Sequence, residues 1–472
     1  MATDIDILNN DVASIQAMLA AGEIPQARRL DEEREKTGAR GPFHGIPIVV
    51  KDTFLTDASL GMDTTCGTAA LVGARRSQNA DVVDLVLKAG MIILGKANLS
   101  ELGLFKGDPP NTGGWSSAGG QSVSPYVVGG VLPNATFLGH STPAGSSSGS
   151  AISVAAGFAP IALGAETEGS LVQPASRAGL YALKPAPGKV ATKGVLGGWT
   201  YSSIGPVAKS SRDVANMVSL LTGTDLSHAL KGSWENLRVG VVKYDPWAPP
   251  AFVVEQVDSY TEQVQTEMDK AAEAISAAGA KVVRDVPLQP FWQLYDDIEA
   301  EHGIDIEMLW EPNFKNDFDN FISLYETTPV RSLAELVQYH KDHADVCLPP
   351  EHPSQKLLEE ALDETPDPDA ASKAQLVQRK AQKNITDVLS EFDLDVIISH
   401  CDGRMASLAA AAGYAIASLP LGFADFNGRA WGVNAIAGPG GEAKLVELMS
   451  TWEKTFPEAR KAPPQLVGTT TA

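Results

Sequence analysis

The chain has 472 residues, of which 44% are hydrophobic, so it is long enough to bury a large core. Its formal net charge of −21 at pH 7 disfavours nucleic acid and anionic membranes as partners, because their phosphates repel an acidic protein. The three sparse cysteines, Cys66, Cys347 and Cys401, argue against a disulfide framework and favour a reducing compartment.

The first half of the chain alternates helical and strand patterns. Residues 1–40 are charged and have a helical pattern. An apolar run at residues 46–50 predicts a buried strand, a helix capped by Asn79 follows it, and residues 91–94 predict a second strand. This order predicts parallel pairing through a crossover helix. Residues 106–145 are rich in glycine, serine, proline and asparagine, which predicts a functional loop before a small-residue helix and a further strand.

The second half adds strands to the same predicted sheet, which favours one α/β unit over separate domains. Residues 292–390 are helical in pattern, polar and acidic, and they are the candidate for a cap. The other elements are predicted as helices at residues 213–221, 254–278 and 442–456 and as strands at residues 237–243, 281–286, 395–399, 415–421 and 431–437.

Two serines in glycine-framed turns and one lysine are the candidates for chemistry. Ser170 follows A-E-T-E-G, Ser146 follows P-A-G, and Lys51 closes the apolar run G-I-P-I-V-V. A serine hydroxyl needs a positioned base to act as a nucleophile, and a lysine that loses its charge on burial can be that base. Each residue also has a structural interpretation, as a turn before a helix, as a helix N-cap, or as a strand-end lysine that reaches water.

Ordered motifs from about residue 40 to residue 460 resemble the amidase signature family. They read G-P-F-H-G-I-P-I-V-V-K-D, G-K-A-N-L-S-E, G-W-S-S-A-G-G-Q, P-A-G-S-S-S-G-S-A, A-E-T-E-G-S-L-V-Q-P-A and G-Y-A-I-A-S-L-P-L-G-F. The most similar members are fungal-type amidases with a long Gly/Ser segment. The resemblance implies an α/β fold: a single compact α/β/α sandwich with a large mixed, mostly parallel central sheet and a helical cap. The implied single domain, residues 1–472, comprises an N-terminal helical region at 1–40, a signature core at 41–225, a helical cap insert at 292–390 and C-terminal strands and a helix at 391–460.

The resemblance also implies a Ser–cis-Ser–Lys triad. Its nucleophile falls on Ser170, its bridging cis-serine on Ser146 and its base on Lys51. Gly145, which forms the cis bond with Ser146, and Ser147 are expected to support this network.

The turn that carries the nucleophile predicts an oxyanion hole. Its glycine lets the backbone turn sharply, so that successive amides point at one spot. These amides belong to Thr167, Glu168, Gly169 and Ser170. The family turn usually reads D-T-G-G-S or E-T-D-G-S, so Glu168 is a departure, and its side chain is expected to point away from the oxyanion.

Four residues are candidates for the substrate pocket. Gln173 stands where some relatives carry an arginine, which argues against acidic substrates. Cys401 and Asp402 follow a predicted strand, and Trp115 lies in the Gly/Ser-rich segment.

The predicted function is an amidohydrolase that acts on a neutral carboxamide or a small peptide-like amide. Alternatives are an amide-forming acyltransferase, the A subunit of a transamidosome, which delivers ammonia to tRNA-bound glutamate, and a non-enzymatic binding protein. The only partner expected is the small-molecule amide, with no cofactor, metal, nucleic acid or membrane, although a homodimer is possible. We expect a cytoplasmic protein, because no signal peptide or membrane-spanning run is seen.

Overall fold

The structure is a computed structural model that describes residues 25–107, 113–197, 201–304, 313–363 and 367–464. Most of the helical pattern predicted for the N-terminus lies outside these residues, and the described part is helix α1 (Pro25–Thr37). Parts of the predicted loop and of the predicted cap, residues 108–112, 305–312 and 364–366, also lie outside the described residues.

Ten of the described strands form one mixed sheet, and two short strands pair separately. The strands are β1 (Pro47–Lys51), β2 (Ile92–Ala97), β3 (Trp115–Ser116), β4 (Gly120–Gln121), β5 (Ile161–Glu166), β6 (Tyr181–Lys184), β7 (Ser203–Ala208), β8 (Arg238–Val242), β9 (Lys281–Val286), β10 (Val396–His400), β11 (Ile416–Phe423) and β12 (Ala430–Ala437). The large sheet has the order β2-β1-β5-β7-β6-β11-β12-β10-β8-β9, with β3 and β4 apart from it. Strands from both halves of the chain therefore share one sheet, as predicted.

The pairing direction changes across the sheet. Parallel pairs join β2, β1 and β5 at one end and β10, β8 and β9 at the other. Antiparallel pairs join the strands between these two groups. The predicted strand–helix–strand crossover between β1 and β2 is confirmed, because parallel neighbours need a connection that returns over the sheet.

Helices cover both faces of the sheet. They are α2 (Asp81–Lys88), α3 (Ser148–Ala155), α4 (Val172–Arg177), α5 (Ser211–Thr222), α6 (Tyr244–Trp247), α7 (Asp258–Ala277), α8 (Phe291–His302), α9 (Phe314–Ile322), α10 (Leu333–Asp342), α11 (Ala344–Cys347), α12 (Lys356–Asp363), α13 (Ala370–Glu391), α14 (Met405–Ala412) and α15 (Glu442–Thr455). Helices α2, α5, α7 and α15 pack on one face, and α3, α4, α8, α13 and α14 pack on the other. The predicted α/β/α class with a large mixed sheet is confirmed.

Alternation along each strand builds the two core layers. Ile48 and Val50 of β1 point into the layer with α2 and α5, whereas Val49 points into the layer with α3. Successive side chains of a strand point to opposite faces, so Lys51 shares the face of Val49. This parity places Lys51 beneath α3 and therefore on the same face as Ser146, which precedes that helix.

The helices of residues 292–390 fall into two groups. Helices α8 and α13 pack with α14 in one apolar cluster, while α9, α10 and α12 contribute to the cluster on the other face. The division of the chain into a signature core and a cap stays a prediction.

One local prediction is wrong, and two strands of the large sheet were not predicted. Helix α2 begins at Asp81 after Ala80, so Asn79 is not its cap; the Asn79 side chain instead accepts a hydrogen bond from the Asp57 amide and donates one to Asp84. Strand β6 was not predicted because it is short. Strand β7 was not predicted because its sequence S-I-G-P-V-A contains a glycine and a proline, which are unfavourable in strands. Pro206 is accommodated there because the pairing of β7 with β6 covers only the residues after it.

Among the described residues, no helix combines the length and the apolar character that crossing a bilayer requires.

Candidate active site

A lysine and a serine from distant parts of the chain meet above β1. The Nζ atom of Lys51 donates a hydrogen bond to Ser146 Oγ at 2.7 Å and a longer one to the Ala165 carbonyl at 3.3 Å. Both side chains are buried. Burial lowers the pKa of Lys51 from 10.5 to about 7, although the charges of Glu166 and Cys66 oppose this change. A large fraction of the amine is therefore neutral near pH 7 and able to accept a proton.

The segment before α3 brings Ser146 to this position. The peptide bond between Gly145 and Ser146 is cis. A Cβ atom added to Gly145 would lie 2.3 Å from Ser100 Oγ, which itself accepts a hydrogen bond from the Gly114 amide. The Ser100 amide also donates to the Ser146 carbonyl at 3.1 Å. Only glycine fits at position 145 without displacing this network.

Ser170 lies on the turn between β5 and α4, next to the same segment. The amide of Ser147 donates to the Ser170 carbonyl at 2.9 Å, and Ser147 Oγ donates to the Ala165 carbonyl at 3.1 Å. Ser147 thus ties the turn that carries Ser170 to the segment that carries Ser146. Ser170 is partly exposed, whereas Ser146 and Lys51 are buried. The structure therefore brings the three predicted residues to one place.

The turn after β5 presents backbone donors. Gly169 has a φ of +84°, a left-handed conformation that favours glycine, and its carbonyl accepts from the Gln173 amide. The amides of Glu168, Gly169 and Ser170 have no acceptor among the described residues. Two hydrogen bonds hold Thr167 in place. Its hydroxyl pairs with Ser202 Oγ at 2.7 Å, and its carbonyl accepts a hydrogen bond from Lys184 Nζ at 3.0 Å.

Glu166 fixes the end of this turn, although no role was predicted for it. Its Oε2 atom accepts from the amides of Leu171 and Val172, both at 2.8 Å. These are the first amides of α4, whose positive end favours a carboxylate. The sequence offers little signal for this role, because glutamate is not a preferred N-cap residue and Glu166 lies five positions before the Leu171 amide that it accepts from.

The Glu168 side chain contacts the start of α14, and its orientation relative to the oxyanion stays a prediction. Its Oε1 atom forms an ion pair with the Arg404 guanidinium and accepts a hydrogen bond from Ser407 Oγ. Burial lowers the pKa of Arg404 to about 10, which leaves the guanidinium charged at neutral pH. No sequence motif indicated Arg404, since it lies 236 positions from Glu168.

The pocket candidates Gln173, Cys401 and Asp402 lie together in a buried polar group, where α4 meets the residues that follow β10. Gln173 Nε2 donates to the Cys401 carbonyl at 2.8 Å, while its Oε1 atom has no partner among the described residues. Asp402 accepts from Arg177 at 2.9 Å and from Arg429 at 2.6 Å. These two arginines hold the pKa of Asp402 well below its usual range, against the effect of its burial. Asp402 is thus part of an ion-pair network.

Trp115 lies elsewhere, against the connection between α11 and α12. Its ring stacks on His352 with the centroids 4.2 Å apart, and Lys106 Nζ lies 4.4 Å from the ring centroid. Lys106 in turn pairs with Glu101 at 3.1 Å in a buried ion pair. Trp115 is therefore a packing residue in this region. The role of all four candidates in the substrate pocket stays a prediction.

The described residues contain no group of three or more His, Cys, Asp and Glu side chains arranged to hold a metal ion.

Comparison with known proteins decides the family. The family model described as Amidase matches residues 1–406. The chain belongs to the amidase family. A probable amidase of Arabidopsis thaliana is 28% identical over 434 residues, which cover 91% of this chain and 80% of the plant protein. The structure of the native peptide amidase from Stenotrophomonas maltophilia superimposes with a TM-score of 0.79 at 28% identity, covering 93% of this chain and 88% of that enzyme. The amidase is therefore a hydrolase that acts on amide C–N bonds, as predicted.

The transamidosome alternative has less support. The A subunit of the glutamyl-tRNA(Gln) amidotransferase from Symbiobacterium thermophilum is 38% identical, but over 204 residues that cover 43% of this chain and 38% of the bacterial protein. The structure of the A subunit from Thermotoga maritima covers 90% of this chain with a TM-score of 0.61 at 23% identity, so it is less similar than the peptide amidase.

Proposed function

We propose that this amidase hydrolyses a neutral carboxamide or a small peptide-like amide through an acyl-enzyme on Ser170. The observation that carries the proposal is the buried hydrogen bond of 2.7 Å from Lys51 Nζ to Ser146 Oγ, made by a lysine whose pKa lies at about 7. A serine nucleophile needs a base, and a neutral amine held against a second serine can supply one.

The proton follows the relay in both halves of the reaction. Neutral Lys51 takes the proton of Ser146, Ser146 takes the proton of Ser170, and Ser170 Oγ attacks the amide carbonyl carbon. The relay then returns the proton to the departing amine when the C–N bond breaks. Water, deprotonated through the same relay, attacks the acyl-enzyme, and the carboxylic acid leaves while Ser170 regains its proton.

The carbonyl oxygen becomes an oxyanion in each tetrahedral intermediate. We assign its stabilisation to the turn of residues 167–170, because the amides of Glu168, Gly169 and Ser170 are free to donate. One such donor contributes about 3–4 kcal/mol to transition-state stabilisation. Gly145 and Ser147 support the relay by the contacts that hold residues 145–147 against the turn.

Gln173 is the proposed residue for selecting an uncharged substrate. It offers a neutral buried amide near the turn, which suits an uncharged substrate. The whole chain is proposed to act as one domain in the cytoplasm, where its three free cysteines would stay reduced. A homodimer is a further proposal that solution scattering or analytical ultracentrifugation would test.

Covalent labelling tests the nucleophile. A fluorophosphonate probe is expected to modify wild-type protein once, at Ser170, and the modified peptide is identified by mass spectrometry. The Ser170→Ala variant is expected to resist the probe, while Ser176→Ala, which removes a buried hydroxyl of α4, is expected to react normally. A modified residue other than Ser170 would contradict the assignment.

Product analysis separates hydrolysis from acyl transfer. Incubation of a primary amide with the amidase and a competing amine is expected to give the free acid as the main product. A predominance of the new amide would favour the acyltransferase alternative, since the acyl-enzyme is common to both.

A further inference from the structure

A second buried lysine lies beside the turn that carries Ser170. Lys184 is the last residue of β6, and it is fully buried. Its Nζ atom donates a hydrogen bond of 3.0 Å to the Thr167 carbonyl, which is its only acceptor among the described residues. The proposed reaction steps give Lys184 no role, although the burial of an amine that makes one hydrogen bond is unfavourable.

The alternation of side chains places Lys184 on the same face of the sheet as the proposed base. Ala182 of β6 belongs to the core layer with α3 and α4, as does Val49 of β1. Side chains two positions apart on a strand share a face, so Lys184 and Lys51 both point into this layer. Strand β5, which leads into the turn of residues 167–170, lies between β1 and β6 in the sheet. The two lysines therefore approach the end of β5 from opposite sides.

Glu166 supplies a negative charge near both lysines. Ala162 of β5 belongs to the same core layer, so Glu166, four positions later, points to the same face. Burial lowers the pKa of Lys184, and the charge of Glu166 opposes this change, as it also does for Lys51. The hydrogen bond to Thr167 needs only an N–H donor, which Lys184 supplies in both of its protonation states.

The hydrogen bond from Lys184 fixes the direction of an amide that is free to donate. The Thr167 carbonyl and the Glu168 N–H belong to one planar trans peptide group, in which they point in opposite directions. The Glu168 N–H has no acceptor among the described residues. A rotation of this peptide group would turn both of its ends, so a donor that holds the carbonyl also holds the N–H.

The other contacts of this region do not restrain the peptide group. The Thr167 hydroxyl pairs with Ser202, and the Glu168 carboxylate pairs with Arg404, but both contacts are made by side chains. The glycine that follows, Gly169, has a positive φ. Among the described residues, Lys184 is therefore the side chain that binds the backbone of this peptide group.

We infer that Lys184 is a positioning residue for the proposed oxyanion hole: it holds the Thr167 carbonyl and thereby directs the Glu168 amide at the oxyanion. This inference rests on the proposed function. Lys184 acts through the peptide group and exchanges no proton with the substrate. The substrate oxygen becomes negative only as the tetrahedral intermediate forms, so a misdirected amide weakens binding of the transition state more than binding of the amide substrate.

Hydrolysis of propionamide tests the positioning role. Lys184→Met removes the donor at similar volume and is expected to lower kcat by about 10–10²-fold with little change in KM. Lys184→Arg keeps an N–H donor and is expected to retain most of the wild-type kcat. Lys209→Met is the matched control and is expected to keep the wild-type kcat. Lys209 follows the end of β7 that pairs with Ile161, at the opposite end of β5 from the turn.

Ethyl trifluoromethyl ketone measures the oxyanion hole without a leaving group. Ser170 Oγ bonds to its carbonyl carbon, the proposed relay takes the serine proton, and the carbonyl electrons become the oxyanion of a hemiketal. In Lys184→Met the inhibition constant is expected to rise by the factor by which kcat/KM for propionamide falls. A loss of folded enzyme would lower kcat and leave the inhibition constant unchanged, so this constant separates positioning from folding.

A second variant carries the test if Lys184→Met does not fold. Lys184→Gln keeps a polar side chain whose nitrogen is one bond nearer to the backbone, and its inhibition constant is also expected to rise. An unchanged inhibition constant in folded Lys184→Met or Lys184→Gln, whatever the change in kcat, would overturn the positioning role and leave amide hydrolysis standing.

Failure of the proposed function has a different signature. Wild-type enzyme that reacts with the fluorophosphonate at Ser170, but neither hydrolyses propionamide nor binds the ketone, would overturn the proposed substrate class and the inference with it.

Discussion

Lys51 Nζ lies 2.7 Å from Ser146 Oγ, although 95 residues separate the two in the chain. The contact forms because Lys51 ends β1 on the face that α3 covers, and Ser146 precedes α3 on that face. The burial that accompanies this contact also lowers the pKa of Lys51. The position of the amine beside Ser146 and its reduced proton affinity therefore both result from the burial of Lys51.

The pH dependence of hydrolysis should report this lysine. The relay needs the neutral amine, which predominates above the pKa of Lys51, at about 7. We expect kcat/KM for a neutral primary amide to rise about tenfold per pH unit below this value and to level off above it. Lys51→Met should lower kcat/KM by about 10²–10⁴-fold and abolish this rise. A flat wild-type profile between pH 5.5 and 8 would contradict the assignment of Lys51 as the base.

Glu166 should tune the same profile. Its negative charge raises the pKa of Lys51 against the larger effect of burial. Glu166→Gln removes the charge and keeps an oxygen for the amides of Leu171 and Val172, so the rise in kcat/KM is expected at lower pH than in wild type. The matched variant is Glu168→Gln, which removes a nearby charge that is paired with Arg404 and is expected to keep the wild-type midpoint. Identical midpoints in wild type and Glu166→Gln would refute this effect.

The ion pair of Glu168 and Arg404 should position the oxyanion hole. Arg404→Ala leaves a partly buried carboxylate without its partner two residues from Ser170, and the turn is expected to shift. We expect kcat to fall by about 10²-fold with a smaller change in KM, since the lost interaction acts on transition-state geometry. The double variant Arg404→Ala with Glu168→Gln should recover part of this loss, because it removes the unpaired charge. An unchanged kcat in Arg404→Ala would exclude the positioning role.

The network around Asp402 should matter for stability. Asp402→Asn leaves Arg177 and Arg429 buried without a counter-charge, and the free energy of unfolding is expected to fall by about 3–5 kcal/mol. Because the pKa of Asp402 is held below its ordinary value of 3.8, this stabilisation is present above about pH 4 and is lost as the pH falls through the lower folded value.

Urea unfolding at pH 7 measures this loss. Asp269→Asn is the control, since Asp269 pairs with Arg284 at the surface and its side chain is 69% exposed. Its expected loss is less than about 1 kcal/mol. Equal unfolding midpoints for Asp402→Asn and wild type would show that the buried pairs contribute nothing net.

Much of the fold was predictable because it depends on local patterns. The apolar runs before Lys51 and around residues 395–399 predicted strands, since β-branched residues in short runs pack on a sheet. Strand β7 was missed because Gly205 and Pro206 are unfavourable in strands on average, and only its neighbours in the sheet make them acceptable. The pairing direction at the centre of the sheet also depends on which strands are neighbours, and no local pattern contains that information.

For the candidate site, the sequence by itself determined the residue types and their order: a lysine at the end of an apolar strand, a serine after Gly145, and a serine in the turn A-E-T-E-G-S. The tertiary structure alone decided what surrounds them. The neutral character of Lys51 depends on its burial. The roles of Glu166 and Arg404 depend on contacts with the turn of residues 167–170 and with the helix that follows it. Burial and electrostatic interaction are properties of distance in space, and residues that lie far apart in the chain acquire them only when the chain has folded.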